Sequence, residues 1–213
     1  MKLKSEELTK NNYIFLDKME HKDLIPFVKE FLKKKTIASI FYYLSNIVFI
    51  ALLLFFFMKF YRFGYFNINK GLLYLSFGIA VAFALIPIHE FIHVLAYKSQ
   101  GAMQTSYDVN LKKFYFLAIA DKFVANKKEF KIVALAPFIF ISLILTGLLF
   151  FTGKLGSIAI LTALSTHASF CSGDFALLSY FEYHKDKEVV TYDDKDNKIS
   201  FFYGKTQQTK TIA

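Results

Sequence analysis

The chain of 213 residues has no tryptophan, one cysteine, 3 prolines and 9 glycines. A single thiol, Cys171, excludes an intramolecular disulfide and any cysteine-based zinc ribbon or iron–sulfur centre. So few glycines and prolines exclude collagen-like and low-complexity chains. Charge is scarce as well, at 20% of positions, and its sign is uneven: 26 Lys and Arg against 17 Asp and Glu give a formal net charge of +9. The bulk is apolar, with 55% hydrophobic residues, 27 Phe and 13 Tyr, and the mean hydropathy is +0.38. Such a composition is too hydrophobic for an average water-soluble domain and too aromatic for a disordered one.

The charges lie between apolar runs. Thr36 to Met58 is a stretch of 23 uncharged residues, and about 20 already suffice for a helix to cross a hydrocarbon core of roughly 30 Å. Three further runs, at about 71–97, 132–152 and 155–183, give four predicted spans. The polar, lysine-rich first 35 residues contain no removable signal peptide, so the first span is expected to act as an uncleaved anchor. Lys and Arg number 9 before the first span, 3, 7 and 1 in the successive loops, and 6 after the fourth. The positive-inside rule then places both termini and the loop from Lys98 to Lys131 in the cytoplasm of a multi-pass cell-membrane protein. The same distribution accounts for the basic excess through the lipid bilayer and its anionic headgroups, without nucleic acid.

The expected fold class is all-α integral membrane, with four transmembrane helices and small cytoplasmic β elements. Its predicted divisions are a cytoplasmic amphipathic segment (1–35), a four-helix membrane domain (36–184) and a cytoplasmic hairpin tail (185–213). Ile25, Val28, Phe31 and Leu32 make one helical stripe in the first segment. Tyr107, Val109 and Leu111 alternate, and the apolar run from Phe114 to Ala120 is too short to span as a helix, so it reads as a strand or a shielded re-entrant element. In the tail, Val189 to Tyr192 and Ile199 to Tyr203 flank a polar turn. That turn is acidic but lacks the glycine and closing glutamate of a calcium loop.

Chemistry is concentrated in two runs. The second contains His89-Glu90-Phe91-Ile92-His93; imidazoles four residues apart on a helix share a face about 6 Å apart along the axis, so both can reach one metal ion. Glu90 is then placed as the base that deprotonates an attacking water. With 5 His and 8 Glu in the chain, chance supplies this pattern only about 0.004 times, so its occurrence is informative. Ionisable groups inside a span also cost on the order of 2.5 to 3.5 kcal/mol each, which disfavours a merely structural polar patch. Catalytic zinc needs a third protein ligand. The fourth run offers Asp174 and His167. Counting from the basic collars, His89, His93 and Asp174 lie roughly 14, 8 and 16 Å deep, whereas His167 is about 10 Å farther from the cytoplasm. Depth therefore favours Asp174 as the metal ligand and leaves His167 as a packed residue, an outer neighbour or substrate contact or, if the Ser172-Gly173 pair breaks the helix, a direct ligand. Cys171 reads as buried packing, Pro87 equally as a loosened turn that presents the ligands or as a mere kink, and His21 and His184 as flanking residues with no special role.

On His89-Glu90-Phe91-Ile92-His93, Ala136-Pro137 and Gly173-Asp174, the chain from about Leu72 to Asp194 resembles a family of small bacterial membrane zincin peptidases. Through it the chain is similar to the site-2 intramembrane proteases. The resemblance implies zinc as cofactor, an aspartate in a later span as third ligand, matching Asp174, and a membrane protein or peptide as substrate. The Asn-Pro-Asp-Gly and Leu-Asp-Gly sequences and the PDZ domain of site-2 proteases have no counterpart here. The expected reaction is peptide-bond hydrolysis with Glu90 as general base; the alternative is a non-catalytic membrane metal or proton site serving transport, sensing or an immunity-type interaction.

Overall fold

The computed structural model describes residues 3–112 and 115–206. Phe114, where the expected apolar run begins, and the tail beyond 206 lie outside them. In chain order come β1 (Ile14–Glu20), α1 (Leu24–Leu32), α2 (Ile37–Arg62), α3 (Ile68–Ala84) and α4 (Ile86–Ser99). These are followed by β2 (Thr105–Asn110), β3 (Tyr115–Ala120), β4 (Ala125–Asn126), α5 (Lys127–Leu148), α6 (Lys154–Phe170), α7 (Ser172–Tyr183), β5 (Lys187–Asp194) and β6 (Ile199–Thr206).

Thr36 caps α2 by accepting a hydrogen bond from the Ser39 N–H, and 26 residues without glycine or proline follow. The helix buries only Ala38, Ser39 and Asn46 and turns its large apolar side chains outward, Ile37 being 78% and Ile47 64% exposed. Three segments, Ile37–Arg62, Ile68–Ser99 and Lys127–Leu148, are long and apolar enough to cross a membrane. The pair α6 and α7, bent by 42°, makes a fourth if taken as one span. The second segment is interrupted at Leu85, with Pro87 in the first turn of α4, where its missing N–H leaves no helical bond unmade. Asn126 opens α5 in a capping box with Glu129.

The helices pack closely against one another. A Cβ on Gly78 of α3 would stand 2.3 Å from the Ala159 carbonyl oxygen of α6, so only glycine lets these helices approach so far. Ser169 of α6 donates to the Asn46 side-chain oxygen of α2 at 2.7 Å. Ser179 of α7 donates to the Phe31 carbonyl at 2.6 Å, and the Glu182 carboxylate accepts from the Ala38 N–H at 2.9 Å. Phe31, Phe130, Tyr180, Phe181 and Phe202 form the core beneath, joining α1, α5 and α7 to the sheet.

The expected all-helical class does not hold. The fold is mixed, 62% helix and 20% strand, with a four-stranded antiparallel sheet ordered β1-β6-β5-β4 and a separate β2-β3 hairpin. The unforeseen strands are the two-residue β4 and the longer β1, whose residues Ile14-Phe15-Leu16-Asp17-Lys18-Met19-Glu20 show no clean alternation. The conformation of β1 is set by a partner far away in sequence, running from Ile14 opposite Gly204 to Glu20 opposite Ile199. The Leu16 side chain packs over Gly204, where a Cβ would stand 2.6 Å from its Cδ1 and oblige it to move. The sheet thus joins the polar segment before α2 to the tail after α7. The tail hairpin itself, β5 and β6, forms where the alternation places it, and β3 lies in the loop between α4 and α5.

Candidate metal centre

His89 and His93 occupy adjacent turns of α4, and Asp174 occupies the first turn of α7, where the partial positive charge of a helix N-terminus favours a carboxylate. The break at Cys171 between α6 and α7 is what starts a new helix at this depth. His89 Nε2 lies 3.0 Å from His93 Nε2 and 3.3 Å from Asp174 Oδ2, and His93 Nε2 lies 3.1 Å from Asp174 Oδ1. His89, His93 and Glu90 are all buried.

The ring nitrogens facing away determine what the cluster needs. His93 Nδ1 is 3.0 Å from the Val133 carbonyl oxygen of α5. A carbonyl only accepts, so Nδ1 carries the proton and, in the neutral ring, Nε2 presents a bare lone pair. That lone pair meets another imidazole nitrogen and a carboxylate. The His93 lone pair and the Asp174 carboxylate are two acceptors converging in a buried site, and a cation or a proton between them satisfies both. For tetrahedral zinc with ligands at about 2.0–2.2 Å, donors sit roughly 3.3 Å apart, close to the three separations here. The residues fit the ion.

His167 lies behind this cluster, with Nε2 3.1 Å from His89 Nδ1, while its own Nδ1 is buried without a partner. Asp174 and His167 therefore flank His89 on its two nitrogens. A second triple, His89, His167 and Cys171, also brings its donors within 4.8 Å. There, however, the two histidines are spaced as a hydrogen-bonded pair, and the Cys171 thiol donates to the His167 carbonyl at 3.3 Å. The depth count made His167 too remote because it placed Asp174 on a continuous helix; the bend brings the end of α6 against α4.

Glu90 is the next residue on α4, and its carboxylate accepts from the Ala118 N–H of β3. Two residues on, the Ala120 N–H is directed to Asp193, which also accepts from Ser200 Oγ at 2.7 Å. Alternate N–H groups thus point to the edge of β3 opposite β2. Among the described residues no strand pairs with that edge at Phe116 to Ala118; β2 covers the other. The edge, the metal-site residues, His21 and Asp193 all line one cavity of about 390 Å³.

His21 was expected to be a plain flanking residue. It is instead buried, with Nδ1 2.9 Å from Asp108 Oδ2; Lys198 donates to Asp108 Oδ1 at 2.7 Å and Tyr115 to Oδ2 at 3.2 Å. Burial disfavours the Asp108 charge, but the hydrogen bonds from Lys198 and His21 outweigh it and hold the carboxyl below its ordinary range. This cluster fixes the β2-β3 hairpin, and with it the free edge, to the larger sheet. No spacing in the sequence announces it, since its members come from four separate segments. His184, which follows the last residue of α7, has Nδ1 3.0 Å from the Tyr180 carbonyl oxygen of that helix.

Two histidines four apart on one helix, with a glutamate beside the first, are the arrangement of zincin-type metallopeptidases. Residues 82–188, half of the chain, match the family described as "Putative zincin peptidase", and the chain belongs to that family. No curated protein and no solved structure matches it.

Proposed function

We propose that the protein is a zinc-dependent peptidase, embedded in the cell membrane, that hydrolyses a membrane-associated peptide or protein. The observation that carries this reading is the convergence of His89, His93 and Asp174 beside Glu90 in one cavity with an unpaired strand edge. Zinc held by these three side chains would supply a Lewis acid that polarises the scissile carbonyl and acidifies water. Glu90 takes the proton of the attacking water and returns it to the leaving amine as the carbon–nitrogen bond breaks. The Ala118 N–H orients the Glu90 carboxylate for both transfers. A helical substrate must be unwound before its peptide bonds are accessible, and the free edge of β3 receives the opened segment as an added strand. Membership of the zincin peptidase family supports the same reading.

Four membrane crossings accompany it. β1 precedes the first candidate span and β6 follows the last, and they are hydrogen-bonded to each other. An even number of crossings is therefore needed, which counts α6 and α7 as one span. The lysine distribution puts the sheet, both chain ends and the mouth of the site in the cytoplasm.

The rival is a proton site, favoured by the 3.1 Å contact between His93 Nε2 and Asp174 Oδ1, which a shared proton also satisfies. Metal analysis of the purified, detergent-solubilised protein separates the two. Wild type and Glu90→Gln should each carry about one zinc per chain, as a single site requires; His89→Ala and His93→Ala should carry none, and Glu90→Gln should cut no membrane substrate. Full metal content in both histidine variants, or normal cleavage by Glu90→Gln, overturns the proposal.

A further inference from the structure

Proline at position 137 stands in the interior of α5, where a helix ordinarily excludes it. In an α-helix the N–H of each residue bonds the carbonyl four residues earlier. Proline has no N–H, so the carbonyl left without its helical donor is that of Val133. Val133 is buried, in an apolar cluster with Ala96, Tyr97, Ala102 and Ala120, and an unpaired carbonyl in such surroundings is unfavourable. Its donor is His93 Nδ1, at 3.0 Å.

We propose that Pro137 is a positioning residue for the metal centre. By deleting one backbone N–H it reserves the Val133 carbonyl for His93, holds the proton of that ring on Nδ1, and aims the bare Nε2 at Asp174 and His89. The spacing carries the argument: of all carbonyls on α5, the one that proline frees is the one that His93 uses. Pro137 is itself fully buried, and the action proposed for it runs through the Val133 carbonyl. A carbonyl has two lone pairs, so an N–H restored at 137 competes with His93 rather than excluding it, and the expected loss is graded. The partner of a ligand histidine's second nitrogen is typically worth about 10–100-fold in metal affinity.

The inference rests on the reading of His93 as a zinc ligand, and two readouts keep the two apart. The first is the tautomer of His93 in metal-free, full-length protein, from nitrogen-15 histidine spectra assigned with His93→Gln. The second is zinc affinity, from competition with a chromophoric chelator. Wild type should show the Nδ1-protonated ring. Pro137→Ala, with Pro137→Gly in parallel should the alanine protein fail to insert, should shift His93 toward the other tautomer and weaken zinc about tenfold or more. Lactic acid placed at 137 through a backbone ester restores a site without an N–H but without the proline ring. It should recover both the tautomer and the affinity, which a role in packing alone would not produce. Unchanged tautomer and affinity in Pro137→Ala, or an ester variant as impaired as Pro137→Ala, overturns the inference. A wild type that takes up no zinc yet shows the tautomer shift in Pro137→Ala overturns the zinc reading and leaves the positioning role standing.

Discussion

Asp174 and His167 occupy opposite nitrogens of His89, so their removal has unequal consequences. Asp174→Ala leaves two imidazoles to hold the ion and should abolish stoichiometric zinc, whereas His167→Ala removes only a partner of the outer nitrogen and should weaken zinc about 10–100-fold. Metal content and affinity on the same preparations check both; loss of zinc in His167→Ala with retention in Asp174→Ala would reverse the assignment. A second residue-level prediction lies outside the spans. The hydrogen bond from Lys122, together with the Asn197 N–H, holds the Asp194 carboxyl at about 2, below the ordinary value of 3.8. A carboxylate depressed in the folded state contributes stability above its unfolded value and loses it as pH falls. Protection of the β5-β6 turn against amide exchange should therefore be constant above about pH 4 and decline toward pH 2. Lys122→Ala should lower the protection above about pH 4 and shrink that decline, and an unaltered profile in the variant would dismiss the pairing. At this scale the two histidines and Glu90 were legible because their spacing is local. Val133 and Ala118 act through backbone atoms that every residue possesses, so no residue type marks them.

Helix contacts decide how those side chains meet. Gly78 lets α3 lie against the α6 backbone, and Gly78→Ala places a methyl group where the Ala159 carbonyl oxygen stands at 2.3 Å. The helices must separate, which should destabilise the fold by about 1–3 kcal/mol. Thermal unfolding in detergent should show a lower midpoint, and an unchanged midpoint would mean that the contact is slack. The bend at Cys171 has the opposite character, because it improves the site. It turns one apolar run into two helices and gives Asp174 an N-terminal position on the second. Ser172 and Gly173 hinted at such a break, yet the apolar pattern runs through it unchanged, so hydropathy alone reads a single span.

For the whole molecule, pairing of β1 with β6 constrains topology more tightly than helix lengths do. If the α6-α7 pair is one span, the loop at Lys154 and the sheet lie on opposite sides. Single cysteines introduced near Lys154 in a Cys171→Ser background should react with an impermeant reagent outside intact cells. Cysteines near Lys127 or Asn197 should react only after lysis. The reverse pattern would invert the orientation, and labelling of both sets from outside would break the four-crossing arrangement.

Several properties follow from the sequence by itself: the long apolar runs, the two-histidine helix face with Glu90, and the tail hairpin. Each depends on neighbours within a few residues, where helical or strand periodicity links position to direction. Depth counted along separate helices also brought Asp174 to the level of His89. The tertiary structure decided the rest. Strand β1 owes its form to β6 nearly the whole chain away, His167 reaches His89 only across the bend, and Asp108 finds His21 and Lys198 across three segments. Those contacts are between residues far apart in the chain, and a one-dimensional pattern carries directions along an element but not the distances between elements. Pro137 lies between the two cases: the sequence displays the missing N–H, but only the fold shows which histidine uses the carbonyl it leaves free.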